Sequence, residues 1–341
     1  GLNVGIRSLI RGERRGGPLV SFPHAGGDVV VAQRRRGGCR SDGGRDTAQF
    51  YTADASGSTS QAAAIVEALE AGATTLLIDD GVTQILIDGY FSRPSLLDIA
   101  LERTIEPDLA AIKGMLDRFE INRLKAVIPV HSHFDHALDS AEVAKQTGAQ
   151  LMGSDTTAQI AAGSSLATHQ VSVIETETVY SVGAFEVIFY PSQHAPLASN
   201  SAISGTVAAP LTLPAPYTVW KLGQAYTLII THPKGRMLIQ GSAGFVPDAL
   251  AAIKVDAVFL GTGGLPNLSR AHQLAYLDEM VTQRQPKRVY TIHHDDLFGD
   301  LGNVEQNVLM PNFDQTQAFE LGQQVLPAQL LQMQFGVPIN L

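Results

Sequence analysis

The sequence predicts an α/β fold with its chemistry gathered along one sheet edge. Short apolar runs of strand length alternate with segments of helical spacing from about residue 59 onward. Several of those runs end in histidine, aspartate or glycine, so residues capable of chemistry collect where strands pass into loops. Of the 341 residues, 45% are hydrophobic at a mean hydropathy of +0.07. That suffices for a substantial core, yet no apolar run reaches the ~18 residues a membrane span needs.

The first 58 residues differ from the rest. They hold nine arginines, no lysine, five acidic residues and twelve glycines, about +4 in a chain of net charge −9. Glycine-broken stretches such as "VAQRRRGGCRSDGGRD" predict a disordered basic tail or an expression-related extension, with residues 59–341 as the folded domain. Arg14-Arg15 and Arg34-Arg35-Arg36 are followed by no apolar core, so no export signal is recognised and a cytoplasmic location is expected. The single cysteine, Cys39, excludes an internal disulfide and any cysteine-rich metal site. The acidic balance, with a pI near 5.5, speaks against nucleic acid as a partner.

"ATTLLIDDGVTQILIDGYFSRP" reads as a hairpin turning at Asp-Asp-Gly. "SLLDIALERTIEPDLAAIKGMLDRF" has helical spacing broken at Pro107. "KAVIPV" is a buried strand, "ALDSAEVAKQTG" a helix stopped by Gly148, and "AQLMGS" the next strand. "TVYSVGAFEVIFYPSQHAP" and "YTLIITHPKGRMLIQGSAG" each read strand–turn–strand, the first running out at His194 and the second near Ser242. "VDAVFLGTGG" and "KRVYTIHHDD" are two further strands.

The chemistry concentrates in "VIPVHSHFDHALD", where His131-x-His133-x-Asp135-His136 follows an apolar run directly. A strand ending in a tight turn aims such side chains at one point, and imidazole with carboxylate is transition-metal chemistry. The plainer alternative is a polar cluster that caps the next helix. "GTGGLPN" at 261–267 lacks the Gly-Lys-Ser/Thr ending of a phosphate loop and reads as a strand-to-helix turn near the site. No G-x-S-x-G elbow occurs, which counts against a serine α/β-hydrolase.

With Asp88-Gly89 in "ILIDG", His194 in "SQHAP" and His293 in "YTIHHDD", residues from about 70 to 341 resemble the metallo-β-lactamase-fold hydrolases. The resemblance implies an αββα sandwich, two mixed sheets packed face to face with helices outside. It implies one metal on His131, His133 and His194, and a second on Asp135, His136 and His293. Asp88 would orient a histidine from behind through its ring N–H. A metal-bound hydroxide would attack the substrate, with Asp135 and His136 as the catalytic pair. Zn²⁺ is the expected cofactor, as one or two ions, with Mn²⁺ or Fe²⁺ open at the second position.

One departure stands out. The family usually carries a metal-bridging aspartate where this chain has Gly241-Ser242. Ser242, or Asp295 or Asp296 from the neighbouring loop, is a candidate to compensate. Strand alternation allows only one of His293 and His294 to face the metal, and the motif favours His293. His294 is left to substrate contact or packing, and His232 to a solvated turn. The apolar insertion "LASNSAISGTVAAPLTLPAPYTVWKLG" offers Tyr217 and Trp220 as a wall for an apolar group. The expected partner is a small-molecule substrate, an ester, lactone or phosphodiester, with homo-oligomerisation left open. A non-catalytic metal-binding scaffold and a di-iron redox protein are the alternatives.

Overall fold

The computed structural model describes residues 19–23, 29–33, 49–53, 59–60, 66–196, 198–301 and 328–341. It divides into two compact units, Gly1–Ala64 and Ile65–Leu341. In the first, β1 (Leu19–Pro23), β2 (Val29–Gln33), β3 (Gln49–Ala53) and β4 (Thr59–Ser60) form an antiparallel sheet in that order. These strands fall within or beside the segment that the sequence reads as a basic tail or extension. Val29-Val30-Val31 is a β-branched run, and antiparallel neighbours supply its backbone partners. His24, Cys39 and both arginine runs lie outside the described residues.

The second unit begins with β5 (Glu67–Glu70), β6 (Leu76–Asp79), β7 (Gln84–Ile87), α1 (Leu96–Ala100), β8 (Thr104–Ile105), α2 (Leu109–Arg118) and β9 (Leu124–Ile128). It continues with α3 (Phe134–Ala137), α4 (Ser140–Thr147), β10 (Gln150–Gly153), α5 (Asp155–Gly163), β11 (Val171–Val173), β12 (Val179–Val182) and β13 (Phe185–Ser192). The last part holds β14 (Ala215–Pro216), β15 (Ala225–His232), β16 (Gly235–Gln240), β17 (Ala257–Gly261), α6 (Arg270–Leu277), β18 (Arg288–Ile292), β19 (Gln329–Gln332) and β20 (Ile339–Asn340). Two mixed seven-stranded sheets result, in the orders β11-β10-β9-β7-β6-β5-β20 and β12-β13-β15-β16-β17-β18-β19.

Alternation within single strands explains how the layers stack. Ile78, Ile85, Ile87 and Ile128 of the first sheet share one core with Phe189, Ile230, Ile239 and Phe259 of the second, so the sheets pack face to face. Their neighbours Leu77, Leu86 and Val127 turn outward onto Ile112, Met115, Val143 and Ala144 of α2 and α4. Ile229, Leu238, Val258 and Leu260 turn outward onto Tyr276 and Leu277 of α6. The architecture is therefore helix, sheet, sheet, helix. Among the described residues no helix is long and apolar enough to cross a membrane.

Two local features steer the site. β7 runs parallel to β9, and β17 runs parallel to β18, so within each pair the strands end at the same edge of their sheet. After β9 the chain turns sharply into the single turn of α3, with His133 in extended backbone at its N-cap.

Candidate metal centre

Every group of the centre leaves the end of a strand. His131 and His133 sit in the loop after β9, and Asp135 and His136 in the first turn of α3. His194 follows β13, and His293 follows β18. Asp88 follows β7 in a left-handed conformation at φ 58°. The structure gathers these residues into two groups, His131 with His133 and His194, and Asp135 with His136 and His293. In each group the offered ligand atoms lie within 4.8 Å of one another.

Second contacts decide which ring nitrogen His133, His194 and His136 present. His131 Nε2 lies 3.1 Å from His133 Nδ1, while His133 Nε2 is 3.2 Å from the Ile203 carbonyl. That carbonyl accepts a hydrogen bond from Nε2–H, so Nδ1 keeps its lone pair toward the centre. His194 is set the opposite way, with Nδ1 3.0 Å from the Ala195 carbonyl. His136 gives Nδ1 to Asp88 Oδ2 at 2.6 Å, and Asp88 Oδ1 accepts the Val130 N–H at 2.8 Å. His136 Nε2 then faces His293 Nε2 at 3.3 Å, and each lies 3.4 Å from Asp135 Oδ2.

The electrostatics separate the two groups. Burial, with the neighbouring imidazoles, holds His131 well below its usual range. For the same reasons His133 falls to about 3, and burial brings His194 to about 4. This group is neutral at neutral pH, with lone pairs available to a cation. Burial also opposes charge on His136, but the Asp88 and Asp135 carboxylates outweigh it and push its pKa up to about 10. Asp135 is buried as well, yet His136 and His293 hold its carboxyl well below the ordinary range. Five imidazoles and one carboxylate, without thiolate and with the rings of His133, His194 and His136 oriented from behind, fit a divalent transition metal at each group, one at the second displacing the His136 Nε2 proton.

The remaining expected positions divide. Ser242 is buried at the end of the second sheet, and its Oγ accepts the Ala195 N–H at 3.0 Å. It therefore braces the turn that carries His194. Asp295 does not stand in for a bridging carboxylate, because Oδ1 accepts the Ala73 N–H and Oδ2 pairs with Arg93. Asp296 caps its own turn by accepting the Phe298 N–H. His294 turns away from the centre toward Gln332 and Glu70. His232 is buried beside Asp80 and the Phe185 ring, contrary to the solvated turn expected for it.

Tyr217 is half-buried and meets Phe134 edge-on, with ring centroids 5.7 Å apart. Trp220 corrects the expectation of a substrate contact. It is 0% exposed, packed with Tyr90, Phe134 and Leu138, and its indole N–H has no hydrogen-bond partner among the described residues. A tryptophan in an apolar insertion fills core as readily as it lines a pocket, and spacing alone does not separate the two.

Three supporting groups complete the surroundings, and the first two carry no sequence signal of their own. Asp139 accepts the Phe91 and Ser92 N–H groups and the Ser92 hydroxyl, latching the loop after Asp88 to α4. Gln240 donates to the Ser242 and Gly244 carbonyls, each at 2.7 Å, and shapes the turn beside His194. A Cβ on Gly263 would lie 2.7 Å from His293 Nδ1, so a side chain there would displace the ring. The "GTGG" turn was the available hint for that last position.

Comparison with known proteins bears on this arrangement. The chain is similar to a possible metal-dependent hydrolase from Veillonella parvula at 16% identity, over 82% of this chain and 100% of that one, with a TM-score of 0.50. It is also similar to a metallo-β-lactamase fold protein from Bacillus subtilis, at 11% identity, 81% and 99% coverage and a TM-score of 0.49. This is the metallo-β-lactamase fold. A diiron β-hydroxylase from Streptomyces venezuelae is a further structural relative, at 12% identity over 83% of this chain and 55% of that one, with a TM-score of 0.48. Among sequence families, a model described as an ABC ATPase P-loop domain matches residues 42–168, well under half of the chain. That span contains no G-x-x-x-x-G-K-[ST] run, and the His131-x-His133-x-Asp135-His136 cluster lies inside it. No curated protein matches the chain.

Proposed function

We propose that the protein is a metal-dependent hydrolase of a small-molecule ester, lactone or phosphodiester. The observation that carries the proposal is the pair of converging ligand groups with their ring tautomers set from behind by Ile203, Ala195 and Asp88. His131, His133 and His194 would hold one ion, Zn²⁺, and Asp135, His136 and His293 a second, Zn²⁺, Mn²⁺ or Fe²⁺, which would supply hydroxide at neutral pH and Lewis acidity toward the oxygen under attack. Asp135 is the one carboxylate among the six ligands, placed to accept a hydrogen bond from the attacking water and orient it. Asp88 keeps the Nδ1 proton of His136 in place, so that Nε2 faces the centre throughout.

The segment between β13 and β15 supports an apolar substrate group. It carries no charged side chain from Ala195 to Trp220, and its one lysine, Lys221, donates to the Ala202 carbonyl. It reaches the centre directly, since the Ile203 carbonyl accepts the His133 ring N–H and the Leu222 carbonyl accepts the Ser132 N–H.

Metal content by inductively coupled plasma mass spectrometry, followed by a panel of esters, lactones and phosphodiesters, tests the reading. Wild type should hold zinc and hydrolyse at least one class. His133→Ala should lose an ion per chain and reduce turnover by at least about a hundredfold, of the size expected for a lost catalytic metal. Undiminished metal content and turnover in that variant would sink the proposal. Iron at both positions with oxygen-dependent turnover would replace it with redox chemistry.

A further inference from the structure

His293 leaves β18 in a left-handed conformation, at φ 57°, which histidine adopts only when its surroundings enforce it. That twist sends its ring to the centre while His294 turns to the opposite side. The enforcing contacts form a chain. The His293 N–H donates to the Ala73 carbonyl at 2.8 Å, and Ala73 is itself left-handed at φ 50°. The Ala73 N–H donates to Asp295 Oδ1 at 2.7 Å, and Asp295 Oδ2 pairs with Arg93 Nη2 at 3.1 Å. Arg93 Nη1 donates to the Asp296 carbonyl at 3.1 Å, and its guanidinium lies over the Tyr90 ring at 4.9 Å. A Cβ on Gly72 would lie 2.9 Å from Asp295 Oδ2 and closer still to Arg93 Nη2, so the backbone leaves the pair just enough room.

We infer that Arg93 and Asp295 are positioning residues that set His293 for the second metal, through Ala73. The inference rests on the metal-centre reading above and deepens it. Both side chains are at least nine-tenths buried, and a buried ion pair is a poor source of stability compared with an apolar pair of similar volume. What this pair supplies is location. It fastens the 72–74 turn of the first sheet's strands to the 293–296 turn of the second sheet's, and the strained residues at the joint are the ones that aim the ring. Neither residue touches the metal ligand atoms. Their effect should therefore appear in the affinity of one group and not the other.

The test is chelator-competition titration of Zn²⁺ on the full chain, with Co²⁺ absorption reporting the ligand environment of each ion, for wild type, Asp295→Asn and Arg93→Lys. The expected result is a 10- to 100-fold weaker second ion in Asp295→Asn with the first ion unchanged, the range seen for groups that orient a metal ligand from behind. Arg93→Lys keeps the charge but not the two-pronged contact, and should fall between. Thermal melting of the apo forms separates position from stability. Equal loss at both ions, in step with a lower melting temperature, would make the pair merely structural and overturn the inference. So would tight binding of both ions in Asp295→Asn. If Asp295→Asn does not fold, Arg93→Lys decides by the same readout. A wild-type chain that takes up no metal would overturn the metal-centre reading, and this inference with it.

Discussion

At position 242 a hydroxyl stands where the hydrolases that the sequence resembles carry a bridging carboxylate, and the structure gives it a local task, accepting the Ala195 N–H. The six candidate ligands consequently include a single carboxylate, Asp135. Ser242→Asp should keep an oxygen for that N–H and add a negative charge at the centre. The second ion should then bind about tenfold or more tightly, measured by chelator competition. An unchanged affinity would mean that residue 242 faces away from both ions. The histidine pattern at this scale was legible because ligands at x+2 spacing beside a strand end have few other uses. Trp220 and Asp295 were not legible, since whether an indole meets solvent, or a carboxylate meets an arginine 202 residues earlier, depends on packing.

Among the elements, α4 begins in an unusual way. Its N-cap residue, Asp139, makes no side-chain bond to the helix and spends its carboxylate on Phe91 and Ser92 instead. Burial, only partly offset by those bonds, raises its pKa from 3.8 to about 6. The folded state thus binds this proton more tightly than the unfolded chain does. The stability contributed is fully present below 3.8 and is lost as pH rises through about 6, on the order of 2–3 kcal/mol. Asp139→Asn offers an oxygen to the two N–H groups and an N–H₂ to Ser92 without a charge. Urea unfolding of both proteins at pH 4.5 and pH 7 should show the variant gaining on wild type at the higher pH. A difference that stays constant with pH would contradict the assignment. The elements themselves followed from period and punctuation. The hairpin β6–β7 and the stop of α4 at Gly148, φ 74°, lie where the sequence places them, whereas the helical spacing expected up to Pro107 gives way after α1 to the short strand β8, which pairs with β14.

For the second unit as a whole, stability rests on the layer between the two sheets. Phe189 is fully buried there, edge-on to Tyr180 and Tyr226 at 5.8 and 5.3 Å. Phe189→Ala should cost about 3–5 kcal/mol by urea denaturation, because facing sheets of β-branched and aromatic residues have little freedom to collapse into the void. A loss under about 1 kcal/mol would mean that the layer is loosely packed. The same rigidity serves the centre. Ligands drawn from β9, β13 and β18 keep their mutual distances only while the two sheets stay in register.

The sequence by itself determined the α/β class, the strand ends that bear the chemistry and the histidines and aspartate that converge. Those follow from local period, turn residues and ligand spacing, which are properties of contiguous segments. Only the tertiary structure decided which ring nitrogen His133, His194 and His136 present, which of His293 and His294 faces the centre, and that Arg93 and Asp295 meet behind it. Each of these depends on a partner far away in the chain, and a partner's distance and direction exist only once the two sheets have packed.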